Sequence, residues 1–441
     1  MSLRTYFLVA GLLLPCAVLA QGQPPAATAS LPSAIPAPAP VMDLVTLQQA
    51  LQAARDNLDV NLARRNLAGA QADVKAADRS PFPTLSASVS QIDLQNGNGS
   101  GNPWTERTYD KSVGLDWTWE RGDKRTLRTQ SAQRAADAAR ADLDETGIQQ
   151  QIAALGSFYD LLAAQERLAE VGQIERSAAE LASIAARRLQ AGDLSAQDTA
   201  RTEIEAQRAR SDLRLAELER QRTALALWQL TALTPAPERL QARADWPLAV
   251  DALPATATID DVVEARADVR AARARVEAAQ AALDNTSAQK KSDITWGVSY
   301  DHYPGTSTGL MSLRMSMPLQ WGYGYEGEIG RSSAQLALAQ DALEKTRRAA
   351  RLELQRLQHE VQSTGARASA YEREILPRAR RVAEGAELAY RKGALSLTDL
   401  LDARRTLRAT VLDAVAARNE HAKALGAWQL RSGQPVAAAA P

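Results

Sequence analysis

The chain has 441 residues, with 52 basic and 52 acidic side chains and a formal net charge of zero. Such a balanced, well-mixed charge gives no electrostatic footprint for nucleic acid, so no nucleic-acid partner is expected. A single cysteine, Cys16, excludes a disulfide framework and a thiolate metal cluster.

The chain opens with Arg4, an apolar run from Tyr6 to Leu14, and then Ala17-Val18-Leu19-Ala20, small residues of the kind signal peptidase accepts. This predicts a signal peptide over 1–20 with Gln21 as the mature start. Leu13-Leu14-Pro15-Cys16 leaves a lipidated Cys16 as the competing reading, with Pro15 a poor match for it. A Pro/Ala-rich stretch over 21–42 cannot bury a core and predicts an extended linker. No later stretch approaches the roughly 18 consecutive apolar residues of a membrane-spanning helix.

A first repeat is expected over 43–233. It opens with helix, but over Pro83 to Leu94 and Tyr109 to Glu120 the helical period is lost. Val113, Leu115, Trp117 and Trp119 alternate with Ser112, Gly114, Asp116, Thr118 and Glu120, the pattern of a strand with one apolar face. The intervening NGNGSGNP reads as a loop, so a β-hairpin is predicted over about 83–120. From Thr126 to Gln190 there is no proline and helix formers dominate, which predicts one helix roughly 100 Å long at ~1.5 Å per residue. A turn at Ala191-Gly192-Asp193 and an N-cap at Ser195 then start a returning helix that ends near Leu230.

Residues 234–258 read as an inter-repeat linker, and 259–433 repeat the first unit. Ile294, Trp296, Val298 and Tyr300 alternate with polar residues, PGTSTG turns the chain, and Met311, Leu313, Met315 and Met317 alternate again. A second hairpin is therefore predicted over about 292–319 and a second helical hairpin over 329–430. Pro377 should kink or break the outgoing helix near Leu376. Residues 434–441 read as a disordered tail. The repeat is visible residue by residue: Gly192, Leu194, Ser195 and Asp198 recur as Gly393, Leu395, Ser396 and Asp399, and Trp228-Gln229-Leu230 as Trp428-Gln429-Leu430. A duplicated unit this long predicts one pseudo-symmetric architecture rather than a short-repeat solenoid.

Strands of about ten residues are long enough to cross a bilayer when tilted. Eleven of the twenty aromatic residues fall between Phe82 and Arg125 or between Ser292 and Tyr325. Trp104, Trp117, Trp119, Trp296, Tyr303 and Trp321 are candidates for interfacial girdles, since they lie at strand ends or in flanking loops. Four strands cannot close a barrel, and an open edge is not tolerated in lipid. The fold class expected is thus a mixed α/β membrane protein in which several protomers share one transmembrane β-barrel, with Asp116 and Arg314 lining the lumen.

This combination resembles the TolC-like outer-membrane efflux factors. The resemblance spans about residues 43 to 433 and is carried by RADVRAARARVEAAQAAL, MSMPLQWGYGYEGEI and YRKGALSLTDLLDARRTL. WERGDKRTLR and YEGEIGRSSAQL resemble the heavy-metal branch of cobalt-zinc-cadmium resistance type, although Asp123 stands where that branch usually has a second glycine. The resemblance implies a homotrimer in which four strands per protomer form a shared barrel in outer-membrane lipid, continued by an α-helical barrel across the periplasm. It implies a passive exit duct, with a periplasmic adaptor and an inner-membrane pump of RND type as partners. Cargo of another kind, drugs or a type I secretion substrate, is the alternative. From a different class, a periplasmic coiled-coil adaptor would also have long helical hairpins, but would need a lipoyl-like domain that this chain does not suggest.

Candidate functional residues follow at the helical turns. Asp399 and Asp402 are three apart and share one helix face. On the residues alone they are a dipole-favoured N-terminal pair; the resemblance implies instead an acidic constriction that favours cations. It also implies that Asp198 and Tyr390 hold the tunnel mouth shut, with Leu395 replacing a basic residue of that lock. Ala191, Gly192, Asp193, Leu194 and Ser195, with Lys392, Gly393, Ala394, Leu395 and Ser396, form two tips. These are either plain helix connections or docking points for adaptor hairpins. His302, His359 and His421 have no neighbour at metal-ligand spacing and read as ordinary polar residues. With no nucleophile constellation or phosphate loop in the sequence, neither a cofactor nor enzymatic activity is expected.

Overall fold

The computed structural model describes residues 43–102, 106–233, 236–248, 258–304 and 307–436. The expected signal peptide, the Pro/Ala linker and Trp104 lie outside the described residues. In chain order the elements begin with β1 (Asp43–Thr46), α1 (Leu47–Ala54), α2 (Leu58–Ala77), β2 (Thr84–Ser90) and β3 (Asp110–Trp119). Next come α3 (Lys124–Gln190), α4 (Ala196–Thr231), β4 (Leu240–Arg243), α5 (Ile259–Ala265) and α6 (Ala267–Ala288). The chain ends with β5 (Ile294–Tyr303), β6 (Ser307–Ser316), α7 (Glu326–Ala370), α8 (Leu376–Arg391) and α9 (Leu397–Arg431).

Strands β2, β3, β5 and β6 form one antiparallel sheet in that order. The register places Leu115 opposite both Leu85 and Val298, and Trp117 opposite Trp296. Because side chains alternate across the pleat, one face collects Leu85, Val89, Val113, Leu115, Trp117, Val298, Leu313 and Met315. The other collects Ser86, Ser88, Ser112, Asp116, Ser299, Asp301, Ser312 and Arg314. On the polar face Arg314 pairs with Asp116 at 2.8 Å. The Asp301 carboxylate accepts the hydroxyls of Ser312 at 2.6 Å, Ser299 at 3.0 Å, and Ser112. The apolar face is bare, with Leu85 73% and Leu313 71% exposed.

Each hairpin hands over to its long helix through a residue in the left-handed region, Asp123 at φ 56° and Tyr325 at φ 61°. They stand at equivalent places in the two repeats. Aspartate tolerates this conformation better than most side chains, which accounts for Asp123 in place of a glycine. Helix α3 then runs for 67 residues, about 100 Å at ~1.5 Å per residue. None of the described helices is long and apolar enough to cross a membrane.

The second repeat departs from the first along its outgoing helix. Between α7 and α8 the chain makes a π-helical turn over Tyr371–Ile375, and Pro377 sits in the first turn of α8. Proline has no N–H to give the carbonyl four residues back, and the widened turn accommodates its ring without ending the helical path. Trp428 is buried at 8% exposure where its counterpart Trp228 is 40% exposed, so the copies have diverged in packing as well.

Two expectations are corrected. The stretch read as a linker over 234–258 contains a 3₁₀ turn at Pro237–Arg239 and strand β4, which pairs in parallel with β1. Leu240 and Ala242 on β4 join Val45, Leu155, Phe158, Leu161 and Leu227 in the largest core cluster. A four-residue strand with two apolar positions is too short for periodicity to reveal. Part of the tail read as disordered is also placed, since Val436 packs on that same cluster.

Charged residues join the repeats. Arg266, 4% exposed, reaches Glu353 at 2.7 Å and Asp268 at 2.8 Å, and Arg431 reaches Glu145 at 2.7 Å and Glu353 at 3.2 Å. This network ties α3, α6, α7 and α9 together. Burial works against the charges of Arg266 and Asp268. The hydrogen bonds and attraction within the network outweigh it, holding the Arg266 guanidinium above its ordinary range and the Asp268 carboxyl below its own.

Arg266→Ala strands partly buried carboxylates, and is expected to cost ~3 kcal/mol, read as a lowered denaturant midpoint with unchanged slope. Because the folded value of Asp268 is depressed, its contribution is full above the ordinary carboxylate range near ~3.9. It is lost as the pH falls through the folded value. Asp268→Asn should flatten the decline of melting temperature below about pH 4; equal declines in both proteins would exclude this role.

Candidate functional site

The two helix turns are built alike. At the first, Gly192 has φ 82°, and the Asp193 N–H donates to the Arg188 carbonyl at 2.8 Å. At the second, Gly393 has φ 73°, and the Ala394 N–H donates to the Ala389 carbonyl at 2.9 Å. These are Schellman closures, whose left-handed residue is glycine because a Cβ there would clash with its own backbone. Ala191, Asp193, Ser195, Lys392, Ala394 and Ser396 are exposed, while Leu194 and Leu395 are half-buried.

Each turn is followed by an N-cap. Ser195 accepts the Asp198 N–H at 3.1 Å and donates its hydroxyl to the Asp198 carboxylate at 2.8 Å. Ser396 does the same with Asp399, at 3.2 Å and 2.7 Å. Asp399 is therefore committed to the start of α9, with its carboxylate near the positive end of the helix dipole. Asp402 lies one turn on, 65% exposed at the side chain, with Arg405 3.6 Å away. Between them Leu400 and Leu401 point inward with Leu181 and Leu397. The D-L-L-D sequence thus buries its leucines and keeps both carboxylates on the open face.

Within the protomer Asp198 and Tyr390 meet different partners. Tyr390 packs on the Leu181, Leu397, Leu400 and Leu401 cluster, while Asp198 faces Ser195 and, at 3.9 Å, Arg201. Arg201 is the residue that bridges the two turns, donating to Thr398 Oγ1 at 3.1 Å. Sequence reasoning passed over it, although an arginine three residues after Asp198 on a helix was the available signal. A second arginine set lies just above: Arg404 bonds Glu387 at 2.7 Å and Arg405 meets Glu205 at 3.4 Å, which joins α9 to α8 and to α4.

At the other end of the helices, the aromatic candidates gather where the sheet meets them. Trp119 is 59%, Trp117 41% and Trp321 87% exposed, and Trp296 lies beside Trp117 in the register. Tyr303 stands at the opposite, hairpin-loop end of β5, next to a register shift. The three histidines are dispersed. His421 is buried in α9 with Thr364 Oγ1 3.4 Å from Nδ1, and burial lowers its pKa against the carbonyls of Leu248 and Val361. Among the described residues no group of three or more potential metal ligands occurs.

Comparison with known proteins follows the same outline. The model of the family described as "Outer membrane efflux protein" matches residues 46–233 and 258–430. The cobalt-zinc-cadmium resistance protein CzcC of Cupriavidus metallidurans is 26% identical over 374 residues, covering 82% of this chain and 84% of that protein. Among solved structures, the outer membrane protein VceC of Vibrio cholerae superposes with a TM-score of 0.72 at 18% identity, over 89% of this chain and 97% of that one. The structure of CusC gives 0.69 at 18% identity, over 88% and 92%. The open-state MtrE outer membrane channel of Neisseria gonorrhoeae gives 0.67 at 18%, over 88% and 89%. With one family model matching both repeats over most of their length, the chain belongs to the outer membrane efflux protein family.

Proposed function

We propose that three copies of this chain complete one transmembrane barrel and form the passive exit duct of a tripartite efflux system. The observation that carries this reading is the four-stranded sheet, which is apolar and bare on one face, polar on the other, and unpaired at β2 and β6. Backbone groups at those edges need partners in lipid. Neighbouring copies supply them with the least new structure, pairing β6 of one protomer with β2 of the next. The polar face, with Arg314, Asp116 and Asp301, then lines water, and Trp117, Trp119, Trp296 and Trp321 sit at the headgroup level where the helices leave the membrane.

In this assembly the helical hairpins form the periplasmic wall and the two turns form its mouth. Asp399 and Asp402 from three chains make a ring of carboxylates that attracts cations and repels anions, as acidic rings do in channels. Support comes from their shared open face and from the likeness to a cobalt-zinc-cadmium resistance protein, which makes heavy-metal cations the favoured cargo. The exposed tips at Gly192 and Gly393 receive the hairpins of a periplasmic adaptor, and an RND-type pump in the inner membrane supplies the energy. Asp198 and Tyr390, apart within one protomer, serve the closed mouth through contacts between protomers.

Reconstituted in planar bilayers, the wild-type protein should conduct as a cation-preferring pore. Asp399→Asn with Asp402→Asn should reduce both that preference and block by trivalent cations; unchanged selectivity would remove the pair from the mouth. Replacing the exposed tip residues Asp193 and Lys392 should abolish efflux in cells while heat-modifiable trimers persist in the outer-membrane fraction. A monomer recovered from the soluble periplasm would overturn the assembly itself.

A further inference from the structure

A cavity of about 240 Å³ lies where α3, α4, α8 and α9 meet, above the turns. It begins near Leu181, ten residues before the first turn, so ~15 Å up the helix. The space exists because the helices present small side chains to one another. Ala178 and Ala209 belong to one small core cluster, and Leu181 and Leu401 to another. Ala383 of α8 closes a third side, and no bulky side chain bridges the gap. Ile174 and Val411 complete the apolar wall. Thr202, in the same wall, donates its hydroxyl to the Thr199 carbonyl at 2.8 Å, so its donor is already used.

The rim carries three carboxylates, Glu170, Glu205 and Glu387, and three guanidinium groups, Arg404, Arg405 and Arg408. Arg404 is held by Glu387, Arg405 by Glu205 and Asp402, and Arg408 by Asp212. Each of the three guanidinium groups thus has a carboxylate partner. Glu170, half-buried in the cavity wall, has no ion pair or hydrogen bond among the described residues. Of the three rim carboxylates, Glu170 is the one without an arginine partner among the described residues.

We infer that this chamber is a binding site for a compact lipophilic cation: an apolar body seated among Ile174, Ala178, Ala209 and Val411, with its positive charge set against Glu170. An anion would have to share an arginine that already holds a carboxylate, whereas a cation meets a carboxylate with no such partner. The volume is near the lower end of small-molecule pockets, which limits the ligand to one ring or a few short alkyl arms. Since the walls come from both helical hairpins, an occupant holds α8 and α9 against α3 and α4. The inference concerns a single protomer and does not depend on how the chains assemble or what they transport.

The test is titration calorimetry of the purified full-length protein in detergent with benzyltriethylammonium, and with benzenesulfonate as the anionic counterpart. The cation should bind saturably, one per chain, with benzenesulfonate at least ~tenfold weaker. Glu170→Gln should weaken the cation about tenfold or more, the value of one charge-assisted contact. Ala178→Leu, which fills the chamber, should abolish binding without lowering the melting temperature. Bound cation should also slow amide exchange over Leu400 to Val411. Absence of saturable binding, equal affinity for the sulfonate, or wild-type affinity in both variants would each overturn the assignment.

Discussion

The ladder between β3 and β5 is the joint on which the rest of the sheet depends. It is the one pairing that crosses from the first repeat to the second within the four-stranded sheet, running from Lys111 opposite His302 to Trp119 opposite Ile294. Because the side-chain period is two, a slip of one residue would send Trp296 to the face that carries Asp116. Register here therefore fixes which surface is apolar and where the aromatic residues gather. It also lets Arg314 on one outer strand reach Asp116 across β5. Two hairpins that folded separately would leave four edges; joined, they leave two.

Away from the sheet, the helices face a different difficulty. Their faces are rich in alanine and arginine, and α3 and α4 have no strong apolar stripe, so packing alone specifies their partners weakly. Charge pairs make up the difference where helices from the two repeats meet. Arg266 and Arg431 meet Glu353 and Glu145 near the hydrophobic cluster of Val269, Leu354 and Trp428. Arg418 reaches Glu166 at 2.7 Å and lies over the Trp246 ring. Such pairs add less to net stability than to specificity, since an arginine lacking its carboxylate is costly in any alternative arrangement.

Much of this was legible in the residues, and the parts that were not share a cause. Strict alternation at Val113 to Trp119 and at Ile294 to Tyr300 marked strands, because a half-covered sheet imposes that period. The absence of proline over α3 marked one very long helix, and Pro377 marked the disturbed one. Strand β4 was missed because its meaning lies in pairing with Val45, nearly two hundred positions away. At the turns, Gly192 and Gly393 announced their geometry locally. The role of Ser396 as a cap for Asp399 was equally local. The separation of Tyr390 from Asp198, the bridge from Arg201 to Thr398 and the chamber beside Glu170 arise from tertiary placement, and a chamber is made of side chains the sequence does not have.

The bare face of the sheet is apolar only as a consequence of being a sheet. Along β3 every second residue is polar or glycine, so an unpaired strand presents an averaged surface to its surroundings. Pleating sorts the two sets onto opposite sides, and only then does Leu313 stand beside Val298 and Met315 beside Trp296. An apolar surface is thus latent in the extended chain and is created by hydrogen bonding between strands. In the proposed barrel, strand pairing and entry into the apolar phase would therefore be coupled.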